Sequence, residues 1–239
     1  MRGEIVGRVA ALWRFPVKSM AGEPLAAADL GWTGIRGDRQ YAFLRHGSLS
    51  RFPWFTGRDA NGLLLYRAAY RDPADPKLSP IDVTTPEGDT LALDNAELRA
   101  RLAGEGGMAV DLVRSGRSFF DAMPVSIVTT ATHRELDATS GDTVDPRRFR
   151  INIVIDSDLR EGDWAERMVA FGDDAAAGPR MIVHYPIDRC VMVTIDPDTA
   201  IRTPAVLKTV VRDFGNRIGI YASAARPGII RIGDAVRLG

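Results

Sequence analysis

The single cysteine of the 239-residue chain, Cys190, follows Asp188 and Arg189 directly. A neighbouring cation favours the thiolate, which is the form of cysteine that binds soft metal ions and attacks electrophiles. Pro186 and Asp188 predict a turn, and the alternation in "CVMVTID" predicts a strand that starts at the thiol, near a sheet edge. A second interpretation stays open at this point, because most free cysteines are small buried apolar residues.

Lys18 and Ser19 follow a proline-broken strand in the segment "WRFPVKSM". An ammonium and a hydroxyl side by side can bind a phosphate through charge-assisted hydrogen bonds. Gly37 and Asp38 predict a turn from which Arg39 enters the next strand. A solvated loop is the simpler explanation for the Lys-Ser pair, and the chain has no glycine-rich P-loop.

A third polar group lies in the segment "RRFRIN", residues 147–152. If this segment is a strand, alternation places Arg148, Arg150 and Asn152 on one face. Two arginines on a sheet face need either an anion or water, because an unpaired buried charge is costly. The sequence leaves both possibilities open.

Charge and cysteine content restrict the possible partners. Lys and Arg together number 31, as do Asp and Glu, so no overall basic field favours nucleic acid. One cysteine cannot form an internal disulfide, which predicts a reducing compartment and therefore the cytoplasm. The N-terminus shows no long apolar stretch before Arg14, and we expect neither a signal peptide nor a membrane partner. The histidines show no metal-ligand spacing and are expected to be surface or ordinarily hydrogen-bonded side chains: His46, His133 and His184.

Strand patterns dominate, and we predict a mostly β fold with short helices. Alternation is clear in "FRINIVIDSD", where Ile151, Ile153 and Ile155 share one face. The last segment, "GIIRIGDAVRLG", predicts a final hairpin. A soft boundary at residues 113–124 predicts two β-rich units, with the helices covering barrel ends or sheet faces.

Helix signals are few. Asp94 with Glu97 predicts a capping box at the start of one helix, and Thr132 with Glu135 predicts a second. A third helix is predicted to begin at Thr203-Pro204 and to end at Gly215, with an apolar stripe facing the core.

Several segments, in this order along the chain, resemble the MOSC family, which is named after the C-terminal domain of molybdenum-cofactor sulfurase. They include "RFPVKSMAGEPL", "GIRGDRQYAF", "DAMPVSIVTTATHREL", "RRFRINIVID", "EGDWAERMVAFGD" and "DRCVMVTIDPDT". The most specific are the early Pro-Val-Lys-Ser and Arg-Cys followed by Thr-Ile-Asp-Pro-Asp-Thr. The resemblance implies an N-terminal MOSC β-barrel domain over residues 1–115 and a MOSC domain over residues 116–239.

Within that family, the chain is similar to the amidoxime-reducing component and its bacterial relatives. The resemblance implies a molybdenum cofactor whose metal is bound directly by Cys190. It also implies that Lys18, Ser19 and Arg39 hold the terminal phosphate of the pterin. The residues that match the rest of the cofactor lining are Thr129, Thr132, Arg150 and Asn152.

Four positions depart from the family. Ile187 replaces a first cysteine, Met20 stands where a cysteine often follows the Lys-Ser pair, and Ile151 replaces a proline. The fourth departure bears most on the substrate class. Asp188 stands where relatives carry a small or hydroxyl residue, and its carboxylate would repel an anionic oxo-molybdenum centre unless Arg189 neutralises it. Both residues are candidates for a general acid or for orienting the substrate.

The activity that the resemblance implies is two-electron reduction of an N-oxygenated small-molecule substrate. Electrons are expected from a separate flavoprotein with a small redox carrier, because the chain has no Gly-x-Gly-x-x-Gly fingerprint and its one cysteine cannot ligate a cluster. Two alternatives remain. Cys190 could carry a persulfide for sulfur transfer, or the protein could be a non-enzymatic carrier of the cofactor.

Overall fold

The computed structural model describes residues 3–174 and 177–239. In that part of the chain, no helix is long and apolar enough to cross a bilayer. The helices are α1 (Ala96–Gly106), α2 (Thr130–Ser140) and α3 (Pro204–Phe214). The strands are β1 (Glu4–Arg14), β2 (Glu23–Leu25), β3 (Ala27–Gly31), β4 (Gly34–Ile35), β5 (Tyr41–Arg45), β6 (Trp54–Phe55), β7 (Arg67–Tyr70), β8 (Ile81–Thr84), β9 (Thr90–Ala92), β10 (Val110–Arg114), β11 (Val125–Thr129), β12 (Ile153–Asp156), β13 (Met168–Phe171), β14 (Arg180–Asp188), β15 (Arg217–Arg226), β16 (Gly228–Arg231) and β17 (Ala235–Leu238).

Seven strands close into a barrel, which confirms the predicted mostly β fold. Their order around the ring is β1, β12, β11, β15, β14, β13 and β17. Arg8 of β1 pairs with Asp156 of β12 on one side and with Ala235 of β17 on the other, so the first strand closes the ring. Ile153 and Ile155 of β12 point into the barrel core and are fully buried, as their alternation predicts.

β2 pairs with the end of β1, and the other strands that the structure describes form three small sheets. Two of them, β10-β5-β6 and β7-β8-β9, enclose with α1 a second apolar core. The third, β16-β3-β4, joins a late strand of the chain to two early ones. Functional residues from distant parts of the sequence can therefore meet where these sheets adjoin the barrel.

The predicted final hairpin is wrong. β16 pairs with β3, whereas β17 pairs with β1 and β13. Both strands alternate as expected, but each finds a partner edge far away in the sequence. Local alternation identifies a strand and carries no information about its partner.

Two helix starts also differ from the sequence prediction. The first helix is capped by Asn95, whose Oδ1 accepts the backbone N–H of Glu97 at 2.7 Å, and not by Asp94. The second helix is capped by Thr129 and begins before Thr132. In both cases a nearby residue that can also cap a helix accepts a hydrogen bond from one of the free backbone N–H groups of the first turn. The third helix begins and ends as predicted.

Candidate functional site

A pocket of about 130 Å³ lies between the barrel and the N-terminal sheets. Its lining includes nine of the residues singled out from the sequence: Lys18, Ser19, Arg39, Arg148, Arg150, Asn152, Asp188, Arg189 and Cys190. These side chains come from segments separated by more than a hundred residues, and the fold brings them to one place. Arg58, Asp121 and Tyr221, together with the hydroxyls of Thr56 and Ser126, complete the part of the lining that carries ionisable or hydroxyl groups.

Cys190 follows the end of β14 and precedes a 3-10 turn, Val191–Thr194. The predicted strand over these residues is therefore wrong, and Pro186 lies within β14 and not in a turn. The backbone N–H of Val193 bonds to the carbonyl of Cys190 at 3.1 Å, which closes the turn. A short run of β-branched residues is compatible with such a turn as well as with a strand. The thiol is half-buried and lines the pocket.

The cation that contacts the thiol is Arg58, and not Arg189. A hydrogen bond to Cys190 raises the pKa of Arg58 above its ordinary value, although partial burial opposes this. Arg58 lies in a loop of the N-terminal unit, where no motif marks it. Its guanidinium also lies over the ring of Phe52, with 5.2 Å between the guanidinium carbon and the ring centroid. Arg58 is therefore the cation whose side chain interacts directly with the sulfur of Cys190.

Arg189 serves a structural role beside the thiol. Its Nε donates to the carbonyl of Ile218 at 2.7 Å, and its Nη1 donates to the carbonyl of Phe149 at 2.9 Å. Burial lowers the pKa of Arg189 to about 10. Neighbours on an extended backbone point to opposite sides, so sequence adjacency did not place this cation on the thiol. Arg189 instead fixes the segment that carries Cys190 against β15.

Lys18 lies at the centre of a buried cationic cluster. Its Nζ donates to the carbonyl of Phe119 at 2.8 Å and to Oδ1 of Asp121 at 2.6 Å. Burial lowers the pKa of Lys18, and Arg39 and Arg150 push it in the same direction, while Asp121 opposes them. The ammonium thus has two positive neighbours, and one carboxylate partly neutralises the cluster.

Asp121 is the exposed partner of this cluster. Its side chain is 65% exposed, whereas that of Lys18 is 8% exposed. Enclosure in the pocket would raise the pKa of Asp121, but Lys18, Arg39 and Arg58 hold it below its ordinary value. The carboxylate of Asp121 is therefore already paired with the buried ammonium of Lys18. A ligand phosphate would compete with this carboxylate for Lys18.

Three non-glycine residues of the lining have a left-handed backbone. The φ angles are 67° for Ser19, 49° for Arg39 and 53° for Arg150. Such conformations are costly for residues with a Cβ and are concentrated at binding sites in proteins. Arg39 is held by a 2.9 Å bond from Nη2 to the carbonyl of Arg150 and by a 2.5 Å bond from Nη1 to Asp38.

The segment of Arg148 and Arg150 is not the predicted strand. Residues Pro146–Phe149 form a 3-10 turn, and Arg150 follows it. Asp145 stabilises this turn by accepting the N–H of Arg147 at 2.8 Å. Arg148 binds the carbonyl of Thr194 and the carboxylate of Asp196, away from Arg150.

Asn152 is buried, and its amide links separate strands. Its Nδ2 donates to Oδ1 of Asp38 at 3.1 Å and to the carbonyl of Trp13 at 3.2 Å. Its Oδ1 accepts the hydroxyl of Ser126 at 3.0 Å. Asn152 therefore holds the carboxylate that in turn positions Arg39.

Thr129 and Thr132 are not part of this pocket lining. Their hydroxyls donate to Oε2 of Glu161 at 2.9 and 2.6 Å, and all three residues are buried. The other oxygen of this carboxylate accepts the N–H of Gly219 at 2.9 Å. The pair of threonines thus stabilises a buried carboxylate behind the barrel wall.

Asp188 lies at the rim of the pocket. Its side chain is 74% exposed and pairs with Arg217 at 3.2 Å. Arg189 does not neutralise this carboxylate, because its side chain turns inward to the carbonyls of Ile218 and Phe149. Exposure to water and the Arg217 partner both reduce the repulsion that Asp188 would exert on an anion at Cys190.

The three histidines lie outside the lining of this pocket. His46 contacts Asp111 and His184 contacts Ser223, as expected of ordinarily hydrogen-bonded side chains. The expectation is wrong for His133, because both of its ring nitrogens are buried and neither has a hydrogen-bond partner among the described residues.

The lining fits an anionic ligand that also carries a soft metal. Nη2 of Arg150 and Nη2 of Arg189 are buried and have no hydrogen-bond partner among the described residues. Buried donors are nearly always paired, so these two groups are available to a ligand. A phosphate suits the cations around Lys18, and a thiolate suits a soft metal ion.

Two family models match the chain: the MOSC N-terminal beta barrel domain over residues 6–123 and the MOSC domain over residues 114–237. The mitochondrial amidoxime-reducing component 1 of Homo sapiens is 24% identical over 98% of this chain and 83% of the relative. The molybdenum cofactor sulfurase of Anopheles gambiae is 36% identical over 33% of this chain, which spans only 10% of that sulfurase.

The crystal structure of the YUAD protein from Bacillus subtilis has the same fold. It superposes with a TM-score of 0.51 at 14% identity, over 98% of this chain and 95% of that protein. Because the MOSC domain model matches more than half of the residues, the chain belongs to the MOSC domain family.

Proposed function

We propose that this protein binds molybdenum cofactor in the pocket and reduces N-oxygenated small molecules with it. The observation that carries the proposal is that a lone thiol with an arginine partner and a buried cationic cluster line the same pocket. The similarity to an amidoxime-reducing component along nearly the whole chain supports the same activity. The cytoplasm is the compartment that a single free cysteine favours.

Each part of the lining has a role in this proposal. Lys18, Arg39 and Arg150 would hold the terminal phosphate of the cofactor, and the Cys190 thiolate would bind the metal. When bound, the cofactor supplies a metal that changes oxidation state by two electrons. Arg58 donates a hydrogen bond to the sulfur and places a positive charge beside the proposed metal ligand.

The rim residues would act on the substrate. The exposed carboxylate of Asp188 can accept a hydrogen bond from the hydroxyl or amino group of an N-hydroxylated amidine. Arg189 acts indirectly, because its bonds to the carbonyls of Ile218 and Phe149 fix the segment that carries the thiol. Arg189 is therefore a positioning residue in this proposal.

Electrons would come from a separate flavoprotein and a small redox carrier. Accordingly, the purified chain should not oxidise NADH or NADPH alone. The deciding experiment uses protein from a cofactor-competent host, shown to contain molybdenum, with reduced viologen as an artificial donor and an N-hydroxylated amidine as substrate. We expect turnover to the amidine.

The same experiment separates the alternatives. Absence of turnover in molybdenum-loaded protein would favour a cofactor carrier over a reductase. Labile sulfane sulfur on Cys190 without molybdenum would favour sulfur transfer through a persulfide. Steady NADH oxidation by the isolated chain would contradict the need for a separate donor.

A further inference from the structure

The motif Thr-Ile-Asp-Pro-Asp-Thr, residues 194–199, follows the thiol closely in the sequence, yet none of its residues lines the cofactor pocket. The motif folds into a closed loop. Oδ1 of Asp196 accepts the backbone N–H of Asp198 at 3.1 Å, and the N–H of Asp196 donates to the carbonyl of Ile201 at 2.9 Å. Ala200 completes the loop with a φ of 57°, a left-handed conformation that is costly for a residue with a Cβ.

Arg202 is the residue that this loop presents. Arg202 pairs with Ile195 in an isolated antiparallel bridge, and the N–H of Thr203 donates to the carbonyl of Thr194 at 2.7 Å. These contacts join Arg202 to the end of the 3-10 turn that begins directly after Cys190. The backbone of Arg202 is therefore fixed relative to the thiol.

The side chain of Arg202 reaches the N-terminal unit. Its Nε and Nη2 both donate to Oδ1 of Asn61, at 3.0 and 2.7 Å. Nη2 also makes a long hydrogen bond, of 3.4 Å, to the carbonyl of Gly57. Gly57 and Asn61 flank Arg58 in the sequence. One guanidinium therefore contacts the loop of Arg58 on both sides of that residue.

The loop of Arg58 also packs closely on the turn that follows Cys190. A Cβ at Gly57 would lie only 2.8 Å from Cε of Met192, a residue of that turn. Within the loop, the hydroxyl of Thr56 accepts the backbone N–H of Arg58 at 3.2 Å. The loop thus has its own hydrogen bonds, and Arg202 adds those that connect it to the segment after the thiol.

We propose that Arg202 is a positioning residue, which keeps Arg58 beside Cys190 across the junction of the two units. Arg58 and Cys190 line the same pocket but come from different units. Because a guanidinium is a rigid planar fork, its two bonds to the oxygen of Asn61 fix the direction of approach as well as the distance. The importance of this contact for catalysis rests on the proposed function, whereas its test needs neither molybdenum nor turnover.

The test measures alkylation of Cys190 by iodoacetamide in the full chain prepared without cofactor. Arg202→Ala should slow the reaction roughly three- to tenfold, as Arg58→Ala does, because the loop loses hydrogen bonds that hold it near the thiol. In the Arg58→Ala background, Arg202→Ala should have no further effect, since Arg202 acts through Arg58. A general loosening of the structure would slow the reaction equally in both backgrounds.

Variants of Asn61 test the hydrogen bonds from the other side. Asn61→Ala removes the acceptor and should slow alkylation as Arg202→Ala does. Asn61→Asp keeps an acceptor oxygen and should retain the wild-type rate. Arg134→Ala is the matched control, because the Arg134 guanidinium also joins separate segments, at Thr130 and Asp158, and none of these residues lines the pocket. The control should react at the wild-type rate.

The proposed function can fail separately, because absence of turnover in molybdenum-loaded protein would not alter these alkylation rates. A wild-type rate in Arg202→Ala would overturn the positioning role. So would equal slowing by Arg202→Ala with and without Arg58, or an Asn61→Asp variant as slow as Asn61→Ala.

Discussion

The pocket combines two groups of side chains that differ in burial. Lys18 belongs to the cationic group and is only 8% exposed, whereas Asp188, beside the thiol, is 74% exposed. Buried like charges raise the free energy of the protein until an anion arrives. A half-exposed thiol stays accessible to a metal and to reagents. The buried cations should therefore set how tightly the cofactor is held. The thiol and its exposed neighbours should set the reactivity of the bound metal.

The largest effect is expected from Lys18→Ala. A charge-assisted hydrogen bond to phosphate is worth roughly 1.5–3 kcal/mol, so cofactor affinity should fall about ten- to a hundredfold. The melting temperature should change less, because removal of the ammonium also relieves its repulsion with Arg39 and Arg150. Cofactor content after dialysis measures the effect, with the exposed Lys208→Ala as control. Equal content in both variants would mean that the phosphate binds elsewhere.

Arg58→Ala tests the thiol group by itself. Because the Arg58 guanidinium is hydrogen-bonded to the sulfur that attacks the reagent, its removal should slow alkylation of Cys190 by iodoacetamide at neutral pH roughly tenfold. Arg212→Ala, on the surface of α3, serves as the matched control. An unchanged alkylation rate in Arg58→Ala would show that another group activates the thiol.

Thr132→Val tests whether Thr132 serves the cofactor pocket or only stabilises the barrel wall behind it. The hydroxyl donates to the buried Glu161 at 2.6 Å, and its loss should lower the free energy of unfolding by about 1–3 kcal/mol. Cofactor content should not change. The exposed Thr139→Val should have little effect on unfolding by urea. A loss of cofactor without a loss of stability would contradict this structural role. It would support the role in the cofactor lining that the family resemblance implies.

The smallest effect is expected from Asp121→Asn. Its ion pair with Lys18 is largely exposed on the carboxylate side, so stability should fall by about 1 kcal/mol or less. The stabilisation is present above about pH 4 and is lost as the pH falls through the lowered pKa of Asp121. Inorganic phosphate should raise the melting temperature more in the variant, because it no longer competes with a carboxylate. An equal shift in both proteins would contradict that competition.

The sequence predicted which side chains meet in one pocket better than it predicted the backbone that carries them. Cys190, Lys18 and Arg39 were identified by residue type and by family motifs, and all three line one pocket. Alternation also identified Ile153 and Ile155 as core residues. These predictions succeed because they depend on a residue and its near neighbours.

The features that the sequence did not predict depend on contacts between distant segments. Arg58 lies in a loop without a motif, and only folding brings it to the thiol. The 3-10 turns at Pro146–Phe149 and Val191–Thr194 resemble strands because a few β-branched or apolar residues satisfy both patterns. The partners of β16 and β17 are fixed by barrel closure, which no local pattern records.

Molybdenum content of the wild-type protein and of Cys190→Ser, made in the same cofactor-competent host, tests the central claim most directly. The account predicts near-stoichiometric molybdenum in the wild type and little or none in the variant. The two melting temperatures without cofactor should agree, since the half-buried thiol makes a modest packing contribution. Equal molybdenum in both proteins would contradict the assignment of Cys190 as the metal ligand.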